Sequence, residues 1–159
     1  MVPNQSTYSF SIQSEDGRLK IYKCDLLTVE TSLLGKFDFI WDRGSLVAIF
    51  AEDRIQYTNL MKQLFGSSCS YLIDTIVYDQ SKFGGPPRSV PPTEIEKLFS
   101  DVCEVCILES VDRNLDPESP ESPKMKWNID ICHEVILLLK YRNNWRLQQL
   151  MTTSPKRIS

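Results

Sequence analysis

The sequence predicts an α/β fold whose sheet is mostly parallel with an antiparallel last strand, and three features of the 159 residues carry that expectation. Runs of aromatic and β-branched residues alternate with stretches of 3.6-residue periodicity, the pattern of β/α units. The last two runs, over 104–112 and 133–141, are joined by a loop with no helical pattern, and a connection without a crossover helix returns a strand antiparallel. Phe37, Phe39, Ile40 and Trp41 form the third feature, an apolar run that ends abruptly in Asp42-Arg43-Gly44. Such residues favour a strand buried on both faces, and the carboxyl end of such a strand is where ligands bind in open α/β sheets. The same three residues also make a simple turn, with the carboxylate accepting backbone N–H groups and the glycine relieving strain. Both readings stay open at this point.

In chain order, residues 1–17 are polar, with an alternating patch at Tyr8, Phe10 and Ile12, and read as an edge hairpin or loop. Leu19 to Leu27 follows as a strand whose last turn carries Asp25. Residues 28–34 make a short, partly helical crossover to the strand at Phe37. From Glu52 the period is helical, with Ile55, Leu60, Leu64 and Phe65 inward, Arg54, Gln56 and Lys62 outward, and Gly66 as the stop. Ser70 to Tyr78 is an apolar strand. The stretch 82–92 holds four prolines and two glycines, and serves either as a flap over a ligand or as a rigid connector. Thr93 and Glu96 have capping-box spacing for a helix through Leu98 and Phe99 to about Asp101. Residues 114–126 are too polar and proline-rich to pack and read as a flexible loop. Order resumes at Trp127. Residues 1–145 are read as one domain and 146–159 as a polar tail, helical over 145–151 at most.

Composition narrows the classes. A 42% apolar, 25% charged chain of net charge −3 is an ordinary globular protein with a core of its own. No basic stripe suggests nucleic acid, and no window of about 20 apolar residues or secretory leader suggests a membrane or export. Cytoplasmic placement is the expectation. Cys24, Cys69, Cys103, Cys106 and Cys132 are odd in number and four lie in hydrophobic runs, as reduced buried thiols do. Cys103-x-x-Cys106 with Cys132-His133 allows a zinc site, but the first pair leads into a strand rather than a turn, so no metal is expected.

The terminal strand-loop-strand after β/α units resembles the carboxyl half of a class I S-adenosylmethionine-dependent methyltransferase, a Rossmann-like sheet. Gly35-Lys36-Phe37-Asp38, Ile40-Trp41-Asp42-Arg43-Gly44, Leu46 to Ile49, Tyr78-Asp79, Gly85-Pro86-Pro87, Val90-Pro91, Glu94-Ile95-Glu96, Leu98-Phe99, and Trp127 before Ile129-Asp130 resemble the thiopurine S-methyltransferase family. The likeness spans about Leu19 to Leu139. It implies methyl transfer from S-adenosylmethionine to an aromatic or heterocyclic thiol, in line, with positioning and water exclusion as the main catalytic contributions and no obligatory base. It assigns Asp25, Leu26 and Arg43 to the cofactor, and Arg43, Pro86 and Pro87 to a small-molecule thiol substrate. A complete member is expected to be monomeric.

The sequence departs from the family pattern in four places. Thr28 stands where the family has an acidic residue, and Arg88 stands where an aromatic follows Gly-Pro-Pro, which implies a more polar pocket. The loop before Trp127 is longer and offers only Lys124 where the family has an arginine. None of the six glycines, Gly17, Gly35, Gly44, Gly66, Gly84 and Gly85, forms the glycine-rich cofactor turn. The expectation is therefore an incomplete methyltransferase domain lacking its amino-terminal half, with a non-catalytic truncated product or interaction protein as the alternative. A strand at Phe37–Trp41 without its usual neighbour would leave an apolar, open sheet edge prone to association.

Overall fold

A computed structural model describes residues 8–142. The chain opens with a hairpin of β1 (Tyr8–Gln13) and β2 (Lys20–Cys24), antiparallel and separate from the main sheet. Asp16 organises its turn, accepting from Ser14 Oγ at 2.7 Å and Arg18 Nε at 2.6 Å. The strand expected over 19–27 is thus shorter and belongs to this ribbon. Asp25 follows it in a turn of its own, its carboxylate accepting from Leu27 N at 3.0 Å. A 3-10 turn at Thr31–Leu33 makes the crossover.

The main sheet contains β3 (Phe37–Arg43), β4 (Phe65–Tyr78), β5 (Cys103–Asp112) and β6 (Cys132–Tyr141), in the order β3-β4-β6-β5. It is mixed rather than mostly parallel. Only β3 and β4 pair in parallel, because β6 inserts between β4 and β5 and runs antiparallel to both. The link from β5 to β6 carries no crossover helix long enough to reverse that direction. As a result β3, β4 and β5 end at one edge of the sheet, and β6 begins there.

Two helices, α1 (Arg54–Gln63) and α2 (Pro92–Phe99), cover the face that presents Ile40, Tyr71, Ile73, Leu137 and Leu139. Tyr71, Ile73, Ile95, Phe99, Leu137 and Leu139 are fully buried there, and Phe65, Tyr71 and Phe99 pack as an aromatic cluster at centroid distances of 5.6–6.5 Å. Burial of that apolar area is the main source of stability. α1 presents its faces differently from the periodic reading. Ile55 is 66% exposed and Arg54 is buried, because the Arg54 guanidinium donates to both Glu94 oxygens at 2.7 and 2.8 Å and lies under the amino end of α2. Leu60, Leu64 and Phe65 are buried as expected, and Arg54, Tyr57, Thr58 and Met61 join Leu60 on the inward side of the helix.

Two boundary expectations also change. α2 starts after Pro91, and no side chain caps it, so Thr93 is inside the helix rather than its cap. Gly66 does not end α1; it lies in β4, where an added Cβ would sit 2.7 Å from Asp38 Oδ1 and 3.0 Å from Phe37 O. The loop after β5 is partly built rather than flexible. Asn114 Nδ2 donates to the Ile129 and Asp130 carbonyls, and Asn114 Oδ1 accepts from Lys124 N. Ser122 caps a short α3 (Pro123–Trp127), its Oγ accepting from Met125 N at 3.2 Å. Residues 143–159, with the proposed tail helix, lie outside the described residues.

Burial on both faces does not hold for β3. Phe37, Phe39 and Trp41, on the face opposite the helices, are 40%, 61% and 62% exposed. Among the described residues no strand pairs with the outer edge of β3. An open edge beside an aromatic stripe favours chain–chain pairing. Sedimentation velocity is expected to show association that grows with concentration and is reduced by Phe39→Lys; a strictly monomeric species at high concentration would contradict it.

Candidate functional site

Asp42 is the origin of the site's geometry. Its carboxylate is buried, and accepts from Tyr57 Oη at 2.5 Å, Tyr71 Oη at 2.6 Å and Leu46 N at 3.4 Å. One side chain thereby joins β3, α1, β4 and the 3-10 turn at Leu46–Ala48. Asp42 is therefore more than a turn former. With Asp42 facing inward, strand alternation points Arg43 to the opposite face, and Gly44, at φ +85°, then turns the chain in the left-handed region.

Arg43 opens onto a cleft of about 270 Å³ at the edge where β3, β4 and β5 end. Its Nε lies 3.4 Å from Asp74 Oδ2 on the adjacent strand. Register places Asp74 beside Ile136 and Glu134 beside Ile76, so Asp74 and Glu134 are diagonal neighbours on one face. Arg113, just past β5, donates from Nη1 to Glu134 at 2.9 Å. The four side chains form a row, Arg43–Asp74–Glu134–Arg113, across the cleft floor. Burial and the Glu134 carboxylate push the Asp74 carboxyl above its ordinary range, and the two arginines oppose that shift.

The walls are Pro87, from the loop after β4, and Trp127, from α3. Trp127 stacks on Phe83 with centroids 5.0 Å apart and planes at 9°. Tyr78 Oη lies 2.7 Å from Pro87 O and 3.1 Å from Phe83 O, which fixes the loop's path beneath them. Arg88 secures its far end: its backbone N donates to Val47 O at 2.7 Å, its Nη1 to Ala48 O at 2.6 Å, and its guanidinium lies 3.7 Å over the Phe50 ring. The 82–92 stretch is thus a fastened connector.

Of the residues singled out in the sequence, Arg43 and Pro87 line the cleft, while Pro86, Asp25 and Leu26 do not. Leu26 packs against the core. Arg88 points away from the cleft, so the greater polarity expected from it comes instead from Asp74, Glu134 and Arg113. Lys124 pairs with Asp130 at 3.3 Å, and the cleft's lysine is Lys126, paired with Glu121. Asp74 and Glu134 went unnoticed, although a single acid inside each of two apolar strand runs is a readable signal. Arg113 gave no such signal. Cys103 and Cys106 stand on opposite faces of β5, as i and i+3 on a strand must; among the described residues no group of three His, Cys, Asp or Glu is placed to hold a metal. The five thiols are free.

An α/β sheet with one reversed strand carries a polar, aromatic-walled cleft at its carboxyl edge, the place where open α/β sheets bind small molecules. The chain belongs to the thiopurine S-methyltransferase family, whose sequence model matches residues 1–142. It is 38% identical over 127 residues to a probable thiopurine S-methyltransferase of Danio rerio, covering 80% of this chain and 52% of that protein. It is 39% identical over 126 residues to the thiopurine S-methyltransferase of Canis lupus familiaris, covering 79% and 49%. The chain spans about half the length of these relatives. A solved 1,6-didemethyltoxoflavin-N1-methyltransferase of Burkholderia thailandensis, with S-adenosylhomocysteine bound, aligns at a TM-score of 0.46 and 14% identity, covering 74% of this chain and 48% of that one.

Two measurements check the geometry. Tyr71→Phe removes one of the buried donors to Asp42 and is expected to cost about 1–3 kcal/mol in denaturant unfolding. Burial, with the Asp42 carboxylate beside them, holds Tyr57 and Tyr71 protonated well above the usual tyrosine range. The folded state therefore keeps protons that the unfolded chain releases above about pH 10, and the contribution of these two tyrosines to stability is expected to be level below that pH and to fall above it. Trp127→Ala removes the stack on Phe83 and is expected to speed amide exchange over 82–90 at least about tenfold, with the β4 core unchanged; unchanged exchange would show that the stack does not hold the loop.

Proposed function

We propose that this chain carries the thiol-facing part of a site for methyl transfer from S-adenosylmethionine to an aromatic or heterocyclic thiol. The observation that supports it most is the convergence of Arg43 and Arg113 on one cleft beside an aromatic wall. Two guanidiniums stabilise a sulfur that carries negative charge as it attacks, and Trp127 gives a flat ring a surface to lie on. By the family motif Arg43, Pro86 and Pro87 meet the substrate, and Asp25, Leu26 and Arg43 meet the cofactor.

The residues present fit the thiol better than the cofactor. A space of about 270 Å³ is at the lower end for a ligand pocket and suits one small ring. The sequence has no glycine-rich turn for close approach to the cofactor's amino-acid end. The positioning contributions named above therefore concern the thiol alone.

Five free thiols suit a reducing compartment, which supports cytoplasmic placement. No helix among the described residues is long and apolar enough to cross a membrane. The modest net charge of −3 gives no attraction for nucleic acid.

A 159-residue preparation incubated with millimolar S-adenosylmethionine and an aromatic thiol is expected to yield the S-methyl product by mass spectrometry, with Arg43→Ala lowering the rate at least about tenfold. Calorimetric titration with the cofactor alone is expected to show binding weaker than micromolar. If the thiol binds and no product forms, the non-catalytic reading replaces this one. Tight micromolar cofactor binding would show that the missing glycine turn is not needed.

A further inference from the structure

We propose that Asp74 and Glu134 act together as the proton acceptor for a heterocyclic thione bound in the cleft, leaving its sulfur as a thiolate between Arg43 and Arg113. The inference rests on the thiol-binding reading above and adds to it a proton-transfer step and the two residues that carry it. Heterocyclic thiols exist largely as thiones with the proton on a ring nitrogen, and their sulfur is a much stronger nucleophile once that proton has gone. A proton acceptor beside the ring nitrogen favours that loss within the cleft.

The cleft supplies that group in a defined place. Asp74 and Glu134 are fixed as a diagonal cross-strand pair by the β4–β6 register, and both line the same cavity. Asp74 is mostly buried, with 17% of its side chain exposed, and Glu134 shows 28%. Two carboxylates this close, partly removed from water, repel each other, and one proton held between them relieves the repulsion. Burial and Glu134 raise the Asp74 carboxyl, which brings its proton affinity nearer to that of a ring N–H and so favours transfer. All the charged groups of the cleft fit the same account. Arg43 on β3 and Arg113 beyond β5 flank the pair, and Lys126 and Glu121 beside α3 neutralise each other.

The step balances without a cofactor. The ring N–H bond breaks, its proton goes to an Asp74 oxygen and is shared with Glu134, and the electron pair left on nitrogen delocalises to sulfur. A neutral thione and a carboxylate become a thiolate and a carboxylic acid. The new negative charge faces Arg43 and Arg113, which the newly neutral carboxyl no longer fully occupies. The direction with pH follows: the pair accepts a proton only while ionised, so uptake is complete above the raised Asp74 pKa and disappears as the pH falls through it.

Ultraviolet titration of the whole chain with pyridine-4-thione, with no S-adenosylmethionine present, reads this directly because thione and thiolate absorb at different wavelengths. At a pH where the free compound is the thione, the bound compound is expected to show the thiolate band. N-methylpyridine-4-thione, which has no proton to give, is expected to bind about tenfold more weakly with no spectral change. Asp74→Asn is expected to bind the compound with its thione band intact, and Glu134→Gln to lower the thiolate fraction about tenfold. If Asp74→Asn does not fold, the wild-type spectrum and Glu134→Gln decide alone. A bound thione band in the wild type, or a thiolate fraction undiminished in either variant, overturns the inference while leaving the thiol-binding reading in place. No binding of either compound overturns both.

Discussion

The buried Asp42 carboxylate is the contact on which the site's geometry depends. A carboxylate in an apolar interior is costly unless its oxygens are hydrogen-bonded, and here two tyrosine hydroxyls and a backbone N–H meet that need. Those donors come from α1, from β4 and from the turn after β3, so satisfying one charge sets the relative placement of three elements. Strand alternation then leaves Arg43 no choice of face. The orientation of the cleft arginine is a consequence of how its neighbour is buried.

The opposite face of the sheet has a different economy. Its helical side is closed by α1 and α2, while Phe37, Phe39 and Trp41 are largely open. Along β3 the open row therefore runs from three aromatic side chains to the arginine that lines the cleft. The polar groups collect at the carboxyl edge, where three strands end and a fourth begins. That edge provides side chains from β3, β4, β6 and the start of the β5–β6 loop within one small volume. No single segment of the sequence encodes the cleft.

Much of this was legible in the residues. The strand at Phe37, the apolar strand at 70–78, the helix before Phe99 and the final strand pair follow from hydrophobic period and turn chemistry. Arg43 and Pro87 were expected at a site by motif, and both line the cleft at the carboxyl edge, while Pro86, Asp25 and Leu26 do not. The misreadings have a common physical cause, which is pairing between residues far apart in sequence. Arg54 looks like a surface residue until Glu94 stands opposite, 40 positions on. Arg88 looks like a pocket residue until Phe50 offers it a ring. Gly66 looks like a helix stop until the close approach of Asp38 and Phe37 explains its missing side chain. The order of β6 and β5, which makes the sheet mixed, is likewise a matter of which strand inserts, and periodicity carries no information about insertion.

The acidic residues of the cleft show the same limit from the other side. Asp74 and Glu134 each interrupt an apolar run, and alone each reads as one charge on a half-exposed strand face. Only the β4–β6 register brings them side by side, and there burial first, and the Glu134 carboxylate second, raise the proton affinity of Asp74. Flanking arginines do not simply cancel them. Arg43 is 68% exposed at its side chain and sits 3.4 Å from Asp74, a contact that water screens heavily. Arg113, 52% exposed, is closer to Glu134 at 2.9 Å, yet water still shares its charge. The carboxyls are the less solvated partners in both pairs, so their mutual repulsion is less screened than the attraction that opposes it. A bound ring that displaces water from the cleft strengthens the repulsion and the attraction to the arginines together. The arrangement with least cost is then one proton on the carboxyl pair and one negative charge on the ligand beneath the two guanidiniums.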